Sequence, residues 1–178
     1  MDEGLKPLTG YNPWHFFNWR DAPFTVFLKE GQQIRGTDQG GLALQEVMFL
    51  ENLGKLIFPK NCLIIGNAFG WSTVATALTF PNAKTIGMDS FPVKEGIDLT
   101  NEILKKLSLN GKALMGSSPE DVARICDNNL EGPVDFVLID ADHTNTAMIA
   151  DFNAVKEKSS PECVYLFHDV LNFNLIDG

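Results

Sequence analysis

The sequence predicts an α/β fold: a Rossmann-like, doubly wound, mostly parallel sheet with strand order 3-2-1-4-5. Three observations predict it. Five short apolar runs, starting at Cys62, alternate with helical patterns. The first of them, Cys62 to Ile65, is apolar at every position, as in a strand covered on both faces. Charged and polar residues gather just after the C-terminal ends of the runs: Asp89, Ser117, Ser118, Asp140, His143, His168 and Asp169. Open sheets of this kind bind ligands at that edge.

A chain of 178 residues suits one structural domain, divided into an aromatic-rich N-terminal arm over 1–40 and a Rossmann-like domain over 41–178. Lys and Arg number 14 against 23 Asp and Glu, a net charge of −9. With no basic stripe, the composition argues against gripping nucleic-acid phosphates or an anionic membrane surface. No apolar run approaches the roughly 18 residues of a membrane span. The opening MDEGLKPLTG lacks the apolar core of a signal peptide. Cys62, Cys126 and Cys163 make no metal-binding spacing and read as buried hydrophobes of a reducing compartment. The expectation is a cytoplasmic protein.

Along the arm, Trp14, Phe16, Phe17, Trp19, Phe24 and Phe27 are interleaved with polar residues and follow neither a helix nor a strand period. They read as irregular chain packed on the domain, or as a lid or dimer surface. Asp38 to Gly41 signals a turn, and Leu42 to Leu56 an amphipathic helix ended by Pro59. The first strand leads into Gly66-Asn67-Ala68-Phe69-Gly70, and Ser72 to Leu78 is a helix of small residues. A second strand, Thr85 to Met88, ends at Asp89, and Thr100 to Leu109 is helical. A third, Ala113 to Met115, precedes a helix capped by Ser118, with Pro119 at its first position, running to about Cys126. A fourth, Val134 to Ile139, ends in Asp140-Ala141-Asp142-His143, and Asn145 to about Lys156 is helical. A fifth, within Pro161 to Phe167, ends at His168-Asp169.

The glycine turn discriminates between cofactors. A dinucleotide fingerprint is G-x-G-x-x-G, which lets a pyrophosphate reach the helix end. Here the spacing is G-x-x-x-G, with Ala68 in the middle. Asp89 follows Gly66 by 23 residues, where a carboxylate can accept both hydroxyls of a ribose. The pair suits a nucleoside without a pyrophosphate, whose carboxylate meets the helix N-terminus. The competing readings are local: Asp89, Asp140 and Asp142 as turn or helix caps, and His143 as a surface loop residue.

The motifs CLIIGNAFGWST, GMDS, GSSPEDV, DFVLIDADH and LFHDV resemble the class I S-adenosylmethionine-dependent methyltransferases over roughly residues 37–171. Within them the chain is most similar to the cation-dependent small-molecule O-methyltransferases. The resemblance implies that Gly66, Asn67 and Gly70 line the methionine end of S-adenosylmethionine. It implies that Asp89 and Ser90 hold the ribose, and that Ser117 and Ser118 sit by the adenine. Asp140 would be a metal ligand close to the transferred methyl, and Asp169, with His168, would complete a divalent cation site, Mg²⁺ by the oxygen ligands. His143 matches the position of a general base. Two positions depart from the family pattern. Ile64 stands where an acidic residue often holds the cofactor's ammonium, and His168 where a carboxylate is usual. A histidine there shifts preference towards softer ions or stands outside the coordination set.

The expected function is therefore methyl transfer from S-adenosylmethionine to a hydroxyl of a small molecule, assisted by a divalent cation. Two alternatives are a non-catalytic or truncated S-adenosylmethionine-binding module and an NAD-type oxidoreductase, the latter opposed by the missing dinucleotide fingerprint. The resemblance also implies a C-terminal hairpin for which the chain leaves no residues. An exposed edge on the fifth strand would invite pairing, so a homodimer or an aggregation liability is expected.

Overall fold

Strand β4 (Asn61–Ile65) is buried at every residue, because it runs through the middle of a five-stranded parallel sheet. The structure, a computed structural model, describes residues 6–11, 23–37, 41–90, 94–171, 173 and 175. The chain groups into two units, Met1–Leu56 and Ile57–Gly178.

In the second unit β4 pairs with β5 (Lys84–Asp89) on one side and with β7 (Val134–Ile139) on the other. Outside them lie β6 (Gly111–Met115) and β8 (Ser159–Phe167), giving the order β6-β5-β4-β7-β8. The helices are α2 (Trp71–Thr79), α3 (Lys94–Lys106), α4 (Val122–Asn129) and α5 (Asn145–Lys156). The chain leaves β4 towards β5 and β6, then returns to β7 and β8. The ends of β4 and β7 therefore flank the point where the winding reverses, which is where such sheets bind ligands.

Strand alternation divides the core. Leu63, Ile65, Ile86, Met88, Val137 and Ile139 pack with Val122 and Ile125 of α4 and Val155 of α5. On the other face α2 lies so close that a Cβ at Gly87 of β5 would strike the Thr73 side chain. The small residues of α2 permit that approach, and Val74 and Ala77 pack there with Leu104 of α3. Cys62 and Cys126 are buried, and burial pushes their thiols up to about 12 and about 11, so both behave as apolar groups. Among the described residues no helix is long and apolar enough to cross a membrane.

Three expectations are corrected. The arm is not irregular throughout: β1 (Lys6–Tyr11), β2 (Pro23–Lys29) and β3 (Gln32–Thr37) form an antiparallel sheet. A two-residue turn joins β2 to β3, with Glu30 at φ 52° and Gly31 at φ 80°. Glutamate seldom occupies that region, so the hairpin left no usual turn signature. Trp14, Phe16, Phe17 and Trp19 lie outside the described residues, whereas Phe27 is fully buried. The same unit contains α1 (Leu44–Leu53), whose Glu46 carboxylate accepts the Ala43 N–H at 2.6 Å.

The second correction is α3, which starts at Lys94 rather than Thr100. Burial of Ile97 and Leu99 overrides the helix-weakening Gly96. The third is Ser118, which caps no helix. Its hydroxyl donates to the Asp151 carboxylate of α5, and α4 begins only at Val122. The Asp121 carboxylate closes the intervening turn by accepting the Ser117 N–H at 2.9 Å.

Candidate active site

The loops after β4, β5 and β7 are bonded into one edge. The N–H groups of Gly66 and Asn67 both donate to the Met88 carbonyl, at 3.0 and 3.1 Å. The Asp140 N–H donates to the Ile65 carbonyl at 2.8 Å. Gly66, at φ 94°, faces the Asp140 backbone so closely that any Cβ would overlap its carbonyl. The first glycine of the turn is thus required by packing between two strand ends, whatever ligand lies above it.

The turn holds three left-handed residues in five: Gly66 at φ 94°, Ala68 at φ 41° and Gly70 at φ 94°. The Asp89 carboxylate accepts the Ala68 N–H at 2.7 Å, so the residue expected at the ribose also braces the loop. Asn67 turns inward. Its side chain is buried, takes a hydrogen bond from Thr73 and gives others to Thr100 and to the Ala68 carbonyl. Only its backbone remains to face a ligand. Ser90 and Ser117 are exposed at the same edge, and Ser118 is half-buried against Asp151. Burial raises the pKa of the Asp151 carboxyl, and the Ser118 hydrogen bond only partly opposes it.

Across the edge, four side chains converge. His143 Nε2 lies 3.3 Å from Asp140 Oδ1 and 3.7 Å from Asp169 Oδ2. His168 Nδ1 lies 3.2 Å from Asp140 Oδ1 and 3.4 Å from Asp169 Oδ2. One ligand atom from each of Asp140, His143 and Asp169 fits within 4.8 Å of the others. Ligands at about 2.1 Å from an octahedral ion stand about 3 Å apart, so these spacings fit a single small cation. Two carboxylates beside two imidazoles make a donor set softer than an all-oxygen one.

The electrostatics follow from that convergence. Burial raises the pKa of the Asp140 carboxyl, but hydrogen bonds from His143 and His168 and their charge outweigh it and leave it below the usual range. The hydrogen bond to Asp140 holds His143 above the usual histidine value, against partial burial. Asp169 sits at φ 55°, a conformation that Asp tolerates better than most residues. Phe173 stacks on the His143 ring, with centroids 4.2 Å apart and planes at 24°. The sequence marks His143 as a candidate base but carries no sign of its contact with Asp169 or of the Phe173 ring stacked on it. The i, i+3 spacing of Asp140 and His143 was the one clue that both belong to a single cluster.

Comparisons with known proteins identify the family of this chain. A family profile described as a methyltransferase domain matches residues 63–170. Caffeoyl-CoA O-methyltransferase of Medicago sativa is 36% identical over 145 residues, covering 79% of this chain and 49% of that protein. Flavonoid 3',5'-methyltransferase of Vitis vinifera is 32% identical over 136 residues, covering 68% of this chain and 57% of that protein. The chain spans about half the length of the curated relatives it matches. In fold it is similar to the O-methyltransferase from Bacillus cereus crystallised in complex with SAH, with a TM-score of 0.63 and 23% identity over 77% of this chain and 62% of that one. The profile runs from β4 through the end of β8 and takes in both the glycine turn and the Asp–His cluster, and on that match the chain belongs to the methyltransferase-domain family, of the class I S-adenosylmethionine-dependent type.

Proposed function

We propose that this chain binds S-adenosylmethionine and directs its methyl group to a hydroxyl of a small molecule, with a divalent cation held by Asp140 and Asp169. The observation that carries the reading is the convergence of Asp140, His143 and Asp169 beside the glycine turn, at the reversal point of the sheet. Relatives named for caffeoyl-CoA and flavonoid methylation support a small hydroxylated acceptor.

Bound S-adenosylmethionine supplies an activated methyl on a sulfonium, and a bound divalent cation lowers the pKa of the acceptor hydroxyl. The chain does the rest. The backbone of Gly66 to Gly70 allows the close approach of the methionine end. Asp89 accepts from the ribose hydroxyls, with Ser90 beside it, while Ser117 and Ser118 border the adenine. His168, only 12% exposed against 31% for His143, completes the donor set around the two carboxylates. His143 is the more accessible imidazole and would take the proton of the acceptor hydroxyl. Ile64 is buried and offers nothing to the cofactor's ammonium, so backbone carbonyls of the loop serve that group.

Calorimetry with S-adenosylhomocysteine, with and without Mg²⁺, tests the reading. Binding is expected in both conditions, and Asp89→Ala should weaken it about tenfold or more. An absence of binding in both conditions would sink the proposal.

A further inference from the structure

A polar network lies buried beneath the glycine turn, out of reach of any ligand above it. Asn67, Thr73 and Thr100 are 1%, 0% and 0% exposed. The Thr73 hydroxyl donates to Asn67 Oδ1 at 2.7 Å, and Asn67 Nδ2 donates to Thr100 Oγ1 at 3.0 Å. The Thr100 hydroxyl donates in turn to the Gly96 carbonyl at 2.7 Å. One amide thereby ties the loop to α2 and to α3. Asn67 Nδ2 also donates to the Ala68 carbonyl at 3.1 Å, while Asp89 accepts the Ala68 N–H. The left-handed, non-glycine Ala68 is therefore gripped on both sides, one grip coming from a residue proposed to touch the cofactor and the other from one that does not.

The surroundings leave room for this network alone. A Cβ at Gly70 would collide with Thr100 Oγ1, and one at Gly87 with the side chains of Thr73 and Asn67. Two glycines on different elements thus clear space for the same three polar groups. A buried amide with its hydrogen bonds made specifies one geometry, whereas apolar groups in its place would tolerate several.

We propose that Asn67, Thr73 and Thr100 form a latch that holds the glycine turn in its ligand-binding conformation, so that Asn67 is a positioning residue whose side chain never meets the cofactor. The proposal rests on the cofactor reading above, and its test separates the two. Thr100→Val removes the Oγ1 acceptor at nearly constant shape, and Thr100→Ser keeps it. Ile125→Val, in the core on the opposite face of the sheet, controls for a general loss of stability; Thr73→Val gives a second break in the network.

By calorimetry, Thr100→Val and Thr73→Val should each weaken S-adenosylhomocysteine about tenfold. Thr100→Ser and Ile125→Val should stay within about twofold of the unmodified chain. Amide hydrogen exchange at Ala68 to Gly70 should quicken about tenfold in Thr100→Val and not in Thr100→Ser. Unchanged affinity in folded Thr100→Val and Thr73→Val, or an equal loss in Ile125→Val, overturns the latch and leaves the cofactor reading standing. Should the unmodified chain fail to bind, the cofactor reading falls, and unchanged exchange at Ala68 to Gly70 in Thr100→Val would overturn the latch on its own.

Discussion

Two residues show how little freedom the site leaves. At Gly66 a side chain is excluded twice, by φ 94° and by the Asp140 carbonyl where a Cβ would sit. Gly66→Ala should cost about 2 kcal/mol or more, read as a lower midpoint in urea unfolding at an unchanged slope. A midpoint equal to that of the unmodified chain would mean the β4 and β7 ends do not pack as described. Asp169 calls for a different substitution. At φ 55° an alanine adds backbone strain to the loss of charge, whereas asparagine accepts the conformation. Asp169→Asn should leave S-adenosylhomocysteine affinity within about twofold and abolish any Mg²⁺ dependence of binding or turnover. Retained Mg²⁺ dependence would remove Asp169 from the cation site.

At the scale of elements, α5 carries a tether that local patterns conceal. Asp151, on its buried face, takes the Ser118 hydroxyl and so links α5 to the loop after β6. Burial, with Asp142 and Glu120 nearby, raises its folded-state pKa above the ordinary carboxylate value. The unfolded chain then releases this proton at lower pH than the folded one. The contribution of Asp151 is fully present below the ordinary Asp pKa near 3.9 and is lost as pH rises through the raised value. Asparagine can keep the acceptor and never ionises. Asp151→Asn should therefore raise Tm at pH 7 relative to the unmodified chain, with the gap closing towards pH 4. A gap that is constant or widens on acidification would refute this assignment.

At the scale of the molecule, the proposed cofactor and cation sites share one sheet edge but draw on different loops. Those after β4, β5 and β6 are proposed to take the cofactor; those after β7 and β8 are proposed to take the cation. Binding to the folded state alone stabilises by mass action, about 2.7 kcal/mol at a ligand concentration one hundred times Kd. For a chain of this size that is a rise in Tm of about 5–10 °C with S-adenosylhomocysteine. Thermal melts that do not move at saturating ligand would contradict the arrangement. Hydrogen exchange should slow at 66–70 and 89–90 on adding the cofactor product, and at 140–143 and 168–169 on adding cation. Protection confined to neither set would show that the edge is not the binding site.

The sequence by itself determined the parallel sheet and the edge at which its polar residues gather. The continuous apolar run of β4 and the strand–helix rhythm are local patterns, and a side chain at the end of a strand needs no tertiary information to be placed there. It also chose between cofactor classes, because G-x-x-x-G with Asp89 is a matter of spacing. Only the tertiary structure decided which polar residues face inward and which converge. Asn67 looks like a ligand residue in the glycine turn until Thr73 and Thr100 arrive from two helices and bury its amide. Ser118 looks like a helix cap until Asp151, distant in sequence, claims its hydroxyl. His143 joins Asp140 through near spacing, but its contact with Asp169 depends on β7 and β8 lying side by side. Periodicity and turn chemistry are properties of neighbouring residues; the pairing of a buried hydrogen-bonding group is settled by whichever partner packing delivers, and that partner comes from elsewhere in the chain.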